Sequence, residues 1–353
     1  MKFNSVTDTF LELVKIDSLS GDESRVADYL IRRLAKIGLN FSPDTAGNLF
    51  CTSPGIGNPV LISAHMDTVE PGRGIKPMIK NGVIYSDGTT ILGADNKAAL
   101  AAIITTLETV DSKRRKSLEI IFSVREETNS GIKEFDFSRL KSSRGLIADR
   151  SAPIGEIVLA APWIYNLAIR ITGKSVHAGR PRHGINALTC TAEAISTCHW
   201  GQYDSQTTTN IGLISGGTAM NTVPEIINLT GEIRSFSQKS LDQVNEEIFK
   251  NFTNTSRRHK TKLNYDKNLY CPGYVHPKND PSVTIVRNIM EKLGIKVSYE
   301  KVYGASDANS LNQAGIRVVT ISDGCENAHT LHESVSVKNL EILEKIFTSY
   351  ITA

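Results

Sequence analysis

Short apolar runs that end in an acid or an imidazole constrain this chain most. PVLISAHMD at 59–67, SLEIIFSVREE at 117–127 and RGLIAD at 144–149 each hold only a handful of consecutive apolar residues, then break into His, Asp or Glu. Runs this short and this apolar read as strands buried on both faces, the kind found in parallel sheets with helices on either side. Amphipathic helices alternate with them. Residues 22–38 place Val26, Leu30, Leu34 and Ile37 on one stripe with Gly38 at the stop, and an alanine-rich helix is expected at about 95–110. The pattern predicts an α/β fold with a doubly wound, mixed sheet.

The texture changes after Pro162. Residues 164–173 alternate, a helix is expected at about 186–199, strands at 208–214 and 226–236, a polar helix at 240–257 and a strand near 262–270. This β-α-β-β-α-β order predicts a ferredoxin-like α+β domain. Past Pro277 the first texture returns, with a helix at 281–293, strands at 295–300 and 316–321, and a closing helix at 337–350. The expected organisation is a discontinuous α/β domain, 1–163 with 276–353, interrupted by an inserted domain at 164–275. A chain of 353 residues suits two domains.

Composition excludes several functions. Forty basic and 37 acidic residues leave a net charge of +3 with no long basic block, which argues against a nucleic-acid or membrane-surface binder. No apolar run approaches the ~20 residues of a membrane span. The N-terminus lacks a basic-then-apolar secretory segment, so a cytoplasmic location is expected. Cys51, Cys190, Cys198, Cys271 and Cys325 are never spaced C-x-x-C and read as reduced, buried thiols. Metal chemistry would have to come from His, Asp and Glu.

Taken singly, each candidate has a bland reading. His65 and Asp67, two apart, share a strand face, but could be a strand-end His and a turn Asp. Asp95 could cap a helix, Glu126 and Glu127 could turn into water, Asp149 could pair with Arg150, and His329 could be a solvated loop residue. Together they read differently, because His65, Asp95, Glu127, Asp149 and His329 all lie at or beyond strand ends, and in a doubly wound sheet those ends converge. Two imidazoles and three carboxylates offer an N/O shell to two divalent ions if one carboxylate bridges. Zinc suits such donors, with manganese or cobalt as substitutes. Glu126 is left over as a base for a water molecule. His332 is the weaker ligand candidate in its loop.

Across SAHMDTV, GADNKAA, EET, IAD, SVHAGRPRHGINAL, GGTAMNTVPEIINLTGEIRSF, GASDANSL and AHTLHES, the sequence resembles the co-catalytic metallopeptidase family that includes peptidase T, glutamate carboxypeptidase, acetylornithine deacetylase and succinyl-diaminopimelate desuccinylase. The resemblance implies that 1–163 with 276–353 form a catalytic di-zinc domain and 164–275 an inserted lid or dimerisation domain, and that His65, Asp95 and Asp149 hold one zinc and Asp95, Glu127 and His329 the other. It makes Asp67 a brace on the His65 side and Glu126 the general base and later proton donor. It assigns His177 as oxyanion donor, Arg234 as the grip on a substrate carboxylate, and Asn221 as a helper in that pocket. Two details stand apart. Arg125 stands where the family often has Asp before the glutamate pair; it is expected to be structural, though a guanidinium beside the base could depress its pKa. Asp149, where carboxypeptidases and deacylases carry Glu, tilts the expectation toward an aminopeptidase of the peptidase T type acting on di- or tripeptides, as a homodimer through the inserted domain. The alternatives are an N-acyl amino acid deacylase of the same family and a metal-dependent peptide-binding protein without turnover.

Overall fold

The computed structural model describes residues 4–352. The chain divides into two compact units, one running to Leu159 and resuming at His276, the other spanning Ala160–Val275.

The first unit begins with α1 (Val6–Val14), started by a capping box in which Ser5 and Asp8 satisfy each other's backbone N–H. In α2 (Ser24–Ala35) the stripe of Val26, Leu30 and Leu34 is fully buried, as its spacing requires. Then come β1 (Leu49–Ser53), β2 (Ile56–His65), α3 (Ala94–Thr109), β3 (Lys116–Ser123), β4 (Arg144–Ala148) and β5 (Glu156–Ala161). The second unit contributes β6 (Trp163–Thr172), α4 (Ala187–Ser196), β7 (Thr207–Gly216), β8 (Ile226–Ser235), α5 (Gln238–His259) and β9 (Lys262–Cys271). The chain then returns to the first unit with α6 (Pro281–Lys292), α7 (Asp307–Gln313), β10 (Arg317–Ile321) and α8 (Val337–Thr352).

The main sheet runs β1-β3-β2-β4-β10-β5. The four middle strands, β3, β2, β4 and β10, are mutually parallel, while β1 and β5 flank them antiparallel. Ser123, His65, Ala148 and Ile321 are therefore the carboxyl ends of four adjacent strands, with His65 in register with Ser123. Helix α3 is buried on almost every side. Its alanines let α1, α8 and the sheet approach its axis closely, which is why the segment is alanine-rich rather than amphipathic.

The second unit is an antiparallel sheet in the order β7-β8-β6-β9, with α4 and α5 packed on it. Numbered within the unit, that order is 2-3-1-4, the ferredoxin-like arrangement. Along β6, Leu167, Ile169 and Ile171 are buried against the helices while Ala168 and Arg170 are exposed, the alternation of a half-covered sheet.

Some elements were not anticipated. Strands β1 and β5 and helix α7 are among them, the helix carrying few apolar residues. A small second sheet joins Met78–Lys80, Val83–Tyr85, Cys325–Glu326 and Ser334–Ser336. Asp95 is not the cap of α3. Gly93 takes that place in a left-handed conformation, and Asp95 and Asn96 depart from helical geometry before the regular helix starts. A Cβ at Gly93 would come within 3.2 Å of Thr68 Cγ2, and its φ is +69°, so two constraints favour glycine there.

Candidate metal centre

Strand β2 delivers His65 into the first unit's interior, 2% exposed. Its Nδ1 lies 2.9 Å from the Asp67 carbonyl oxygen, and its Nε2 lies 3.1 Å from Asp95 Oδ1 and 3.5 Å from Asp149 Oδ1. A hydrogen bond from Nδ1 to a backbone carbonyl sets the ring so that Nε2 faces the carboxylates.

Asp67 is fully buried, and its carboxylate organises the next strand end. Its Oδ1 accepts from the Glu126 N–H at 2.9 Å; its Oδ2 accepts from the Glu127 N–H at 3.1 Å and from the Ser20 hydroxyl at 2.6 Å. Burial would raise its pKa, but His65 foremost, with the bonds from Ser20 and the Glu126 N–H, holds it low. The glutamate pair is thus fixed by its backbone and does not turn freely into water. Glu127 Oε1 is 2.8 Å from His329 Nε2, and the same nitrogen is 3.5 Å from Asp95 Oδ2. Asp95 consequently turns one oxygen to each imidazole. Asn96 Nδ2 donates to Asp149 Oδ1 at 3.0 Å and to the Ala148 carbonyl at 2.6 Å, aiming the carboxylate that follows β4. Arg150 pairs with Glu156 instead of Asp149.

Three sets of ligand atoms result, each lying within 4.8 Å of one another: His65, Asp95 and Asp149; Asp95, Glu127 and His329; and His65, Glu126 and Glu127. His332 is exposed and enters none of them. Gathering these carboxylates is costly unless positive charge accompanies them. Their effect on the imidazoles is direct. Burial would lower the His65 pKa, but Asp149, Asp67 and Asp95 hold it well above its usual value, and hydrogen bonds to Asp95 and Glu127 push His329 up to about 10. The donors are oxygen and imidazole nitrogen with no thiolate, a set that fits zinc and harder divalent ions.

Glu126 is pushed well above the usual carboxylate range, first by burial and then by the charge of Asp149, with Asp307 and Glu127 adding to it. Arg125, expected to be structural, bears on other partners than this carboxyl. The Arg125 guanidinium donates to Glu134 at 3.0 Å, and its backbone, at φ +53°, donates to Glu23.

Three further buried acids surround these residues, none of them given a role by the sequence. Asp307 accepts a hydrogen bond from the Ser123 hydroxyl and is raised to about 7, by burial foremost. Asp323 follows the apolar run of β10 and accepts from the Cys325 N–H; burial and the charge of Asp95 raise it well above its usual value. Glu333 is 1% exposed and binds the backbone next to Asp95. Asp323 carries the same signal as Asp149, an apolar strand ending in an acid, and was findable on that ground. Glu333 has no sequence signal, since its partners lie about 240 residues away.

In the second unit, His177 is exposed. Its Nδ1 accepts from the Gly179 N–H at 3.0 Å, and its segment pairs with that of Asn221 through a 177–222 bridge and an Ala178 N–H to Asn221 carbonyl bond of 2.8 Å. The Arg234 guanidinium on β8 is clamped in two hydrogen bonds by Glu232, at 2.7 and 2.9 Å.

The clustered donors could hold divalent metal ions, as a metal-dependent hydrolase requires, and comparison with known proteins gives the class. Residues 61–353 match the model of peptidase family M20/M25/M40, and the chain belongs to that family. It is 33% identical over 345 residues to the uncharacterized protein YqjE of Bacillus subtilis, covering 94% of this chain and 93% of that one. It is 23% identical to peptidase T of Streptococcus pneumoniae, across 97% of both chains. Among solved structures, aminopeptidase PepT from Bacillus cereus superposes with a TM-score of 0.93 at 33% identity, covering 98% of this chain and 97% of that one. A tripeptidase from Staphylococcus aureus gives the same values. The fold is shared at 17% identity and a TM-score of 0.77 by a dinuclear metal binding peptidase of the M20 family from Bacillus subtilis, across 98% of this chain and 96% of that one.

Proposed function

We propose that the protein is a di-zinc aminopeptidase cleaving di- or tripeptides, with manganese or cobalt as possible substitutes. One observation carries this reading: two imidazoles and three carboxylates from separate strand ends converge with Asp95 shared, and Glu126 lies beside them as a carboxylate to spare. His65, Asp95 and Asp149 would hold one ion and Asp95, Glu127 and His329 the other, with Asp67 bracing the first set and the glutamate turn. Bound there, the ions supply Lewis-acid polarisation of the scissile carbonyl and acidify a water molecule. Glu126 takes the proton from that water and passes it to the leaving amine. His177 donates a hydrogen bond to the developing oxyanion, Arg234 engages the peptide carboxylate as a planar two-pronged donor, and Asn221 assists. Asp149 in the third position, together with the likeness to an aminopeptidase and a tripeptidase, favours peptides over N-acyl amino acids.

The inserted unit is proposed as a lid and as the surface of a homodimer. Beyond its short pairing with Gly201–Gln202, β7 has an open edge, and Leu213, Ile214 and Met220 are 70%, 55% and 102% exposed. An apolar open edge of this kind invites a second strand. Among the described residues no helix is long and apolar enough to cross a membrane, and a cytoplasmic peptidase is the reading retained.

Zinc-loaded protein assayed against a tripeptide panel and a panel of N-acyl amino acids tests the function. The reading requires release of the N-terminal residue from tripeptides and little turnover of the acyl series. The reverse preference would make the protein a deacylase. Tight peptide binding with no turnover of either panel would make it a binding protein.

A further inference from the structure

The backbone on either side of Asp95 converges on one distant carboxylate. Glu333 Oε2 accepts from the Leu92 N–H at 2.8 Å and the Gly93 N–H at 2.7 Å, while Oε1 accepts from the Asp95 N–H at 3.0 Å. Regular helix does not begin until after Asn96, so these N–H groups lack carbonyl partners within a preceding turn. Glu333 supplies acceptors for all three from inside the protein, where an ionised acceptor makes short, strong bonds. It also lies four residues after His329, in the segment that leads into the Ser334–Ser336 strand.

We infer that Glu333 is a positioning residue that ties the segment of His329 to the segment of Asp95, and so sets the separation of two of the three groups facing the second cation. The inference rests on the metal-centre reading above. A capping role alone would need one acceptor near the helix start, and Ser, Asp or Asn beside Gly93 would provide it locally. The long-range solution joins two ligand-bearing segments that no β-ladder connects directly. Asp67 does the equivalent on the other side, where one carboxylate holds the N–H groups of both glutamates. Two ligand segments are therefore each pinned by a buried carboxylate that is not itself among the ligands.

The test is zinc binding by the metal-free full chain, comparing wild type with Glu333→Gln and Glu333→Asp. Gln keeps the size but offers one oxygen and turns an NH2 toward N–H groups; Asp keeps the charge but stops one methylene short. Wild type should bind two ions. Both variants should hold the Asp95–Asp149 ion nearly as before and bind the second roughly 10- to 100-fold more weakly, the usual loss when a ligand's supporting partner is removed. Excess zinc should restore the second ion. In metal-free protein the Leu92, Gly93 and Asp95 amides should exchange with solvent faster in both variants. If Glu333→Gln does not fold, Glu333→Asp gives the same readouts. Two ions bound with wild-type affinity in the folded variants would overturn the inference while leaving the metal centre standing. No zinc bound by wild type would instead overturn the metal-centre reading.

Discussion

The strand ends of the first unit and the loops of the second hold their chemistry in different ways. In the first unit the candidates are held by bonds to or from the backbone: buried His65 to the Asp67 carbonyl, half-buried Glu126 and Glu127 by N–H groups donated to Asp67, half-buried Asp95 through Glu333, with only the loop residue His329 exposed. In the second unit His177 is exposed and held by a local turn, and Arg234 is clamped to a neighbour on its own strand. The first arrangement is rigid, as metal ligands must be. The second holds its groups only through contacts within their own loop or strand. Substitutions in the two regions should accordingly fail in different ways, by loss of ions and rate on one side and by loss of substrate affinity on the other.

The largest effect should come from stripping the metal. Exhaustive chelation should abolish tripeptide turnover, and two equivalents of zinc per chain should restore it, followed by steady-state assay. Replacing Glu126 with Gln should cost roughly 10²–10⁴ in kcat, the usual worth of a general base, with zinc content unchanged. Turnover retained in that variant would remove Glu126 from its role. Arg234→Lys belongs to the other region: KM should rise roughly tenfold or more, what a charge-assisted hydrogen bond of ~1.5–3 kcal/mol is worth, while kcat and zinc content hold. A fall in kcat with KM unchanged would blur the contrast between the regions. Leu213→Lys, on the open edge of β7, should weaken dimerisation roughly 30-fold in sedimentation if that side chain is a hot spot, and a wild-type chain that is monomeric throughout would discard the dimer.

The smallest effect concerns His276, where the chain re-enters the first unit. Burial lowers its pKa, and Nε2 lies 2.9 Å from the Val318 carbonyl. Folding therefore favours the neutral ring. Its contribution should be fully present above the unfolded pKa of ~6.5 and lost as pH falls below it. His276→Gln should flatten that part of the curve in thermal melts between pH 7.5 and 5; an unchanged slope would assign the loss to other groups.

Sequence revealed the first region because strand geometry did the work. A run such as LISAH or SLEIIFSV can only be a buried strand, and parallel strands bring their carboxyl ends together, so His65, Glu127 and Asp149 could be placed side by side before any coordinates. What sits past a turn was harder. Asp95 read as a helix cap because its segment looks like a helix start, yet the backbone there is irregular and Gly93 is the cap. The role of Glu333 was not legible, since it depends on a contact spanning most of the chain. Arg125, expected to be structural, shows how little adjacency in sequence fixes: a left-handed backbone turns its guanidinium to Glu134 and not to Glu126. In the second unit His177, Asn221 and Arg234 look like ordinary loop and strand residues, and only the family resemblance singled them out.

The central claim is that ligands from separate strand ends and loops of one unit enclose a pair of cations. Elemental analysis of the purified chain after saturation with zinc and removal of free metal, alongside the His65→Ala/His329→Ala double variant, tests it most directly. The account predicts two zinc ions per wild-type chain and none held tightly by the double variant. One ion or fewer in wild type, or two retained in the double variant, would contradict it.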